Sequence, residues 1–74
     1  MNQLITIGKY RIKEAAYDCF FFKDVQYAVA EKAGNKIGCG EEVCRVDANS
    51  EQQAKEELEK CLNNIFGESG RWEM

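Results

Sequence analysis

Four cysteines are the residues of this 74-residue chain with the most chemistry open to them. Cys39 and Cys44 form a close pair, Cys-x4-Cys, while Cys19 and Cys61 lie far from it in sequence. Four thiolates can hold a structural zinc ion, although this spacing is at the long end of the range for zinc ligands. Facing strands could instead bring Cys39 and Cys44 close enough for a disulfide. Free thiols are the favoured interpretation, because isolated buried cysteines behave as small hydrophobic residues.

Histidine is absent from the sequence, which removes the most common general base near neutral pH and the most common metal ligand. A nucleophilic cysteine would need such a base, or a cationic pocket, to lower its pKa. The glycine-rich stretch at residues 34–40 does not match a phosphate-binding loop, because the segment after it has the pattern of a strand. We therefore expect a protein without enzymatic activity, cofactor or metal.

An amphipathic helix over residues 49–66 is the clearest element that could position these groups. Ser50 and Gln53 have the spacing of a capping box at its start, and Gly67 suits the left-handed position after its last turn. The apolar residues recur at the helical period, so they predict one buried stripe. The stripe consists of Ala54, Leu58, Cys61, Leu62, Ile65 and Phe66.

Strand patterns flank this helix on its N-terminal side. Residues 4–13 predict a first strand, with a bulge at Gly8. Residues 14–18 have no clear period and could form a loop or a helical turn. Residues 41–46 alternate again and predict the strand that leads into the helix.

The middle of the chain allows two interpretations. Residues 25–30 alternate and are rich in β-branched and aromatic side chains, which favours a strand. The alternative is a helix over residues 24–33 that ends at Gly34. In the favoured interpretation, a turn at residues 34–35 leads to a returning strand through residues 37–39.

Together these elements predict one α+β domain over residues 1–67 and a C-terminal tail over residues 68–74. The domain is a small antiparallel sheet of three or four strands, packed against one C-terminal amphipathic helix. If Phe20 and Phe22 face the helix, then Phe21 faces the opposite side of the sheet.

Charge is distributed unevenly along the chain. Residues 1–40 carry six Lys and Arg against four Asp and Glu, and residues 41–74 carry four against nine, so the net charges are +2 and −5. An acidic half disfavours binding to nucleic-acid phosphates and suits a basic partner surface. Plain solubility is the alternative explanation. No apolar run has the length of a membrane span, and residues 1–8 do not resemble a signal peptide, so we expect a cytoplasmic protein.

Aromatic and acidic residues are the candidates for partner contact, since Tyr, Trp and Arg are enriched at interface hot spots. Arg71 and Trp72 stand out because they lie in the predicted tail, although Trp72 could instead fold back onto the sheet. The helix glutamates could also be a solvated face. The predicted partner-binding residues are Glu41, Glu42, Glu56, Glu59, Phe21, Tyr10, Arg71 and Trp72.

Two short motifs, Ile37-Gly38-Cys39-Gly40 and Ser50-Glu51-Gln52-Gln53-Ala54, are placed like a turn and a helix start within residues 25–62. This stretch resembles the strand–turn–strand–helix of HicB-like antitoxin domains, and the resemblance implies an antitoxin-type role. The DNA-binding tail of such antitoxins has no counterpart in this sequence. The same strand–strand–helix end is similar to a double-stranded RNA-binding domain, but the first helix and the lysine pair of that domain are absent.

In format, a short acidic α+β chain with cysteines and without catalytic groups resembles small phage-encoded inhibitors, anti-CRISPR proteins among them. This resemblance implies a non-enzymatic protein that blocks a basic, nucleic-acid-binding surface of a host defence complex. The alternatives are a HicB-like antitoxin-type domain or an oligomerisation module stabilised by cysteines. The expected partner is another protein with a basic surface, or a second copy of the chain, and neither a membrane nor nucleic acid directly.

Overall fold

The computed structural model describes residues 4–32 and 42–73. Within these residues the strands form one antiparallel sheet of order β4-β3-β2-β1-β5, and α1 packs against one face of it. This confirms the predicted α+β class, with five strands in place of three or four. The predicted returning strand at residues 37–39 lies outside the described residues. The elements are β1 (Leu4–Ile12), β2 (Ala15–Phe22), β3 (Tyr27–Lys32), β4 (Glu42–Asp47), α1 (Glu51–Phe66) and β5 (Arg71–Glu73).

β1 and β2 form a hairpin whose turn consists of Lys13 and Glu14. Lys13 has φ 56°, the left-handed conformation that two-residue hairpin turns require. The sequence predicted either a loop or a helical turn for residues 14–18. Most of this segment instead belongs to β2. The register shifts between Thr6 and Gly8, which confirms the predicted bulge, and Gly8 has φ 149°.

β3 pairs with β2 on one side and with β4 on the other. The helix alternative for residues 24–33 is therefore wrong, and the strand interpretation is right from Tyr27 onward. A turn over residues 23–26 connects β2 to β3, and the Gln26 backbone N–H donates to the Phe22 carbonyl oxygen at 2.8 Å. The same Gln26 accepts from the Ala48 N–H at 3.1 Å, which ties this turn to the chain just before α1.

The side chains of β2 are placed opposite to the expectation. Phe21 is 2% exposed and belongs to the core cluster that includes Leu58 and Leu62 of α1. Phe20 is buried outside that cluster, on the other face of the sheet. The predicted orientation of Phe21 is therefore wrong. Four consecutive apolar residues, Cys19 to Phe22, do not alternate with polar ones, so this part of the sequence has no signal for which face is which.

α1 begins and ends at the residues that the sequence indicates. The Ser50 hydroxyl accepts from the Gln53 backbone N–H at 3.1 Å, and the Gln53 side chain accepts from the Asn49 N–H at 2.8 Å. Gly67 follows the helix with φ 71°, and its N–H donates to the Asn63 carbonyl oxygen. These two caps satisfy backbone groups that the helix itself leaves unpaired. Within the described residues, no helix combines the length and apolarity needed to cross a bilayer.

The buried stripe of α1 should be the main source of stability. Leu58 is 0% exposed, so we expect Leu58→Ala to lower the free energy of unfolding by about 3 kcal/mol, through lost apolar burial and the cavity left behind. Ile65 is 50% exposed, so its predicted place in the buried stripe is wrong. It provides a matched control, for which Ile65→Ala should cost less than about 1 kcal/mol. Urea unfolding followed by circular dichroism measures both values. Equal losses would contradict this packing of α1.

Candidate functional site

Several predicted contact residues meet where β5 lies against α1, in a group that we call the helix–β5 corner: Tyr10, Glu59, Asn63, Gly70 and Trp72. The Trp72 ring centroid is 4.8 Å from that of Tyr10, and the Trp72 indole N–H donates to Glu59 Oε1 at 2.8 Å. Trp72 is thus held from the sheet side by Tyr10 and from the helix side by Glu59. Within the predicted tail, residues 71–73 form a strand of the same sheet.

The hydroxyl of Tyr10 connects three parts of the chain at this corner. It donates to Asn63 Oδ1 at 2.6 Å and accepts from the Gly70 backbone N–H at 2.9 Å. A Cβ on Gly70 would lie 2.9 Å from the Ile12 Cβ and still closer to the Arg11 carbonyl oxygen, so a side chain does not fit there. Gly70 therefore sets how closely β5 approaches β1.

Tyr10 and Phe21 are buried at 1% and 2% exposure, so the structure contradicts their predicted availability for partner contact. In Tyr10 the reason is the hydroxyl, whose two hydrogen bonds let a polar residue lie inside the core. In Phe21 the reason is the strand alternation described above. Both residues belong to the core cluster.

The remaining candidates lie on separate parts of the surface. Glu56 is exposed on α1 and accepts from the Gln52 side chain at 3.0 Å. Glu42 is exposed at the opposite sheet edge, roughly 19 Å from β5 across four strand spacings, and binds Arg45 at 3.1 Å. Arg71 is exposed, and strand alternation places it on the face opposite Trp72. Glu41 lies outside the described residues. The predicted contact residues that are described lie too far apart to form one site.

Carboxylates lie along α1 and in the turn after it, distributed around the helix rather than on a single side, and we call this group the acidic flank. Two of them make exposed ion pairs: Glu57 with Lys60 at 3.6 Å, and Glu68 with Lys13 at 3.8 Å. Exposed pairs of this length contribute little to stability, so these side chains can exchange partners. The acidic flank consists of Glu51, Glu56, Glu57, Glu59 and Glu68.

A basic hairpin end, which the sequence analysis missed, lies where the β1–β2 hairpin turns. It lines an open groove of about 560 Å³ and an adjoining shallower one beside Gly70. Arg11 donates to Glu73 at 2.8 Å, which lowers the pKa of Glu73 and raises that of Arg11. Alternate lysine and arginine residues along β1 were the available signal, since they share one face of a strand. The basic hairpin end consists of Lys9, Arg11, Lys13, Lys32 and Arg71.

The thiol cluster of Cys19, Cys44 and Cys61 lies between the sheet and α1, and all three are free cysteines. Cys19 and Cys44 flank Ala30 on neighbouring strands, at 0% and 3% exposure. Burial raises the pKa of both thiols to about 12, and in Cys44 a hydrogen bond with Cys61 adds to the effect. No group of metal-ligating side chains occurs among residues 4–32 and 42–73. Cys39 lies outside them.

Comparisons with protein-family models, curated proteins and solved structures find no match to this chain. The resemblances to HicB-like antitoxins and to small phage-encoded inhibitors therefore stay predictions. The surfaces described above are the basis for any functional argument.

Gly70 provides a test of the helix–β5 corner. We expect Gly70→Ala to detach β5, because the added methyl group would overlap Ile12 and the Arg11 backbone. The emission of Trp72, the single tryptophan of the chain, should then shift to longer wavelength as the ring enters water. Ser69→Ala, at the exposed neighbouring position, is the control and should leave the emission unchanged. An unshifted spectrum for Gly70→Ala would show that β5 does not depend on this close approach.

Cys19 should make the protein less stable in alkali. Burial, followed by the charge of Asp18, raises the pKa of its thiol from 9.0 to about 12. The folded protein then keeps a proton that the unfolded chain loses, so stability falls between these two values with a slope of up to about 1.4 kcal/mol per pH unit. We expect Cys19→Ala to lose stability less steeply than the wild type in urea unfolding under reducing conditions. Parallel pH profiles would contradict this assignment.

Proposed function

We propose that this protein is a non-enzymatic protein-binding module that docks on a basic surface of its partner through the acidic flank of α1. The observation that carries the proposal is the charge of this segment: residues 51–68 hold five glutamates against two lysines. Four of these glutamates lie on a helix that is capped at both ends and anchored by its buried stripe, and Glu68 follows that helix. The charges are therefore presented at fixed spacing, which lowers the entropic cost of binding.

The environment of individual glutamates supports contact with a partner. Glu56 is exposed and has the neutral amide of Gln52 as its neighbour, and no cation among residues 4–32 and 42–73 pairs with it. Glu57 is held by a long, exposed pair with Lys60, which a partner cation can replace. Complementary charges of this kind accelerate association and select the partner.

A basic protein surface that accepts carboxylates can also accept nucleic-acid phosphates, because both groups are anionic. On this basis we propose more specifically that the module inhibits a nucleic-acid-binding protein by occupying that surface. The resemblance in size, charge and fold class to small phage-encoded inhibitors supports this inhibitory role. The partner that the resemblance implies is a host defence complex. The HicB-like resemblance supports an antitoxin as the alternative, which would also act by covering a protein surface.

The basic hairpin end favours a second candidate function, the binding of a polyanion. Lys9, Arg11, Lys13 and Lys32 line one groove together with a single carboxylate, Glu14. This arrangement suits phosphate groups. Arg11 is, however, engaged by Glu73 at 2.8 Å. We therefore rank this candidate below the acidic flank, whose charge is in excess.

Two charge-reversal variants separate these functions. Glu56→Lys/Glu57→Lys reverses two charges of the acidic flank, and Lys13→Glu/Arg71→Glu reverses two charges of the basic hairpin end. We expect immobilised wild type to retain a protein from lysate of the source cells, and the flank variant to retain at least about tenfold less, since about 1.4 kcal/mol changes affinity tenfold. The hairpin variant should retain as much as the wild type, and added single-stranded DNA should displace the captured protein.

Unchanged circular dichroism of both variants is the folding control for this comparison. Recovery of nonspecific background alone, or equal recovery by both variants, would contradict docking through the acidic flank. Salt-dependent binding of fluorescent single-stranded DNA to the wild type, lost in the hairpin variant, would instead support the polyanion function.

A further inference from the structure

Cys44 and Cys61 bring two thiols together across the interface between sheet and helix. Cys44 lies within β4, is 3% exposed and belongs to the core cluster that α1 covers. Cys61 lies on the apolar stripe of α1, is half-buried and packs against the same cluster. Cys61 contributes to the raised pKa of Cys44, which makes the two thiols neighbours across this interface, and β4 is the strand that α1 contacts most extensively. Sequence spacing alone had indicated Cys39 as the partner of Cys44.

We propose that Cys44 and Cys61 are a site of oxidative modification, at which a peroxide converts the two thiols into an intramolecular disulfide. Cys61 is the more exposed of the two, so it reacts first. Its sulfur takes one oxygen from hydrogen peroxide and becomes a sulfenic acid, with release of one water. The Cys44 sulfur then attacks the Cys61 sulfur, the S–O bond breaks, and the oxygen leaves as a second water with the Cys44 proton. The thiol pair supplies both electrons that reduce the peroxide.

The position of Cys19 explains why the modification selects this pair. Cys19 and Cys44 are aligned with the same residue of β3, Ala30, from opposite sides. Two strand spacings separate their Cα atoms by roughly 10 Å, whereas a disulfide requires less than about 7 Å. Cys19 is also 0% exposed, so peroxide does not reach it while the protein is folded. Cys61, which lies above the sheet on α1, is the residue that can meet Cys44.

The disulfide would join α1 to the edge strand β4. It closes a loop of about 16 residues, which removes conformational freedom from the unfolded chain and so stabilises the folded one. The second step should be slow near neutral pH, because burial and the hydrogen bond with Cys61 raise the pKa of Cys44 to about 12 and leave little thiolate. The rate of disulfide formation should therefore increase as the pH rises.

Mass spectrometry of the folded wild-type chain tests the proposal. Hydrogen peroxide, added in slight excess, should lower the intact mass by about 2 Da, the two hydrogens lost when a disulfide forms. Digestion without reduction by a protease that cleaves after glutamate then assigns the link, since Glu41 and Glu42 separate Cys39 from Cys44. We expect Cys44 linked to Cys61 in most molecules. The same oxidation in denaturing urea should give a mixture of pairs, because it removes the folded arrangement.

Stability provides the second readout. The oxidised protein should unfold at a temperature roughly 10 °C above the reduced one, because a loop of this length is constrained in a small domain. Cys61→Ser should form no link at Cys44, whereas Cys39→Ser should form it as the wild type does. A link to Cys19 or Cys39, a link between two chains, a sulfenic acid that persists unlinked, or a lower unfolding temperature after oxidation would each overturn the proposal.

Discussion

Burial of the α1 stripe against one face of the sheet is the interaction on which the rest of the structure depends. A domain of this size buries only about 60% of the surface that its unfolded chain exposes, so it has few apolar contacts to lose. Ala54, Leu58 and Leu62 are each 0% exposed, and they cover the side of the sheet that carries Phe21. Because this layer fixes the orientation of α1, it also decides which glutamates reach solvent and which cysteines meet.

The helix was predictable because its signals are local. Ser50, Gln53 and Gly67 lie within or next to the turns that they cap, and the stripe repeats over about three turns. β5 was not predictable, since three residues are too few for an alternating pattern and its partner strand lies about 60 residues away. The hydrogen bond between Tyr10 and Asn63 has the same origin, because it joins positions that only the completed fold brings together.

Two of the predicted contact residues, Tyr10 and Phe21, were wrong for a different reason. Residue type predicts that a tyrosine or glutamate can contact a partner, but not whether the fold leaves it free. Tyr10 lies in the core because two hydrogen bonds satisfy its hydroxyl. The basic hairpin end was not predictable from net charge along the sequence, because Arg71 belongs to the acidic residues 41–74. The fold moves Arg71 beside Arg11 through the pairing of β5 with β1.

The helix–β5 corner and the thiol pair are two attachments of the same helix to opposite edges of the sheet. Glu59 binds Trp72 of β5, while Cys61, two residues later and therefore on the other side of α1, meets Cys44 of β4. The first attachment is a hydrogen bond, whereas the second is the one that we propose oxidation makes covalent. A partner that docks on the acidic flank would meet a helix held from both edges, so oxidation would change the rigidity of the docking surface without altering its charge.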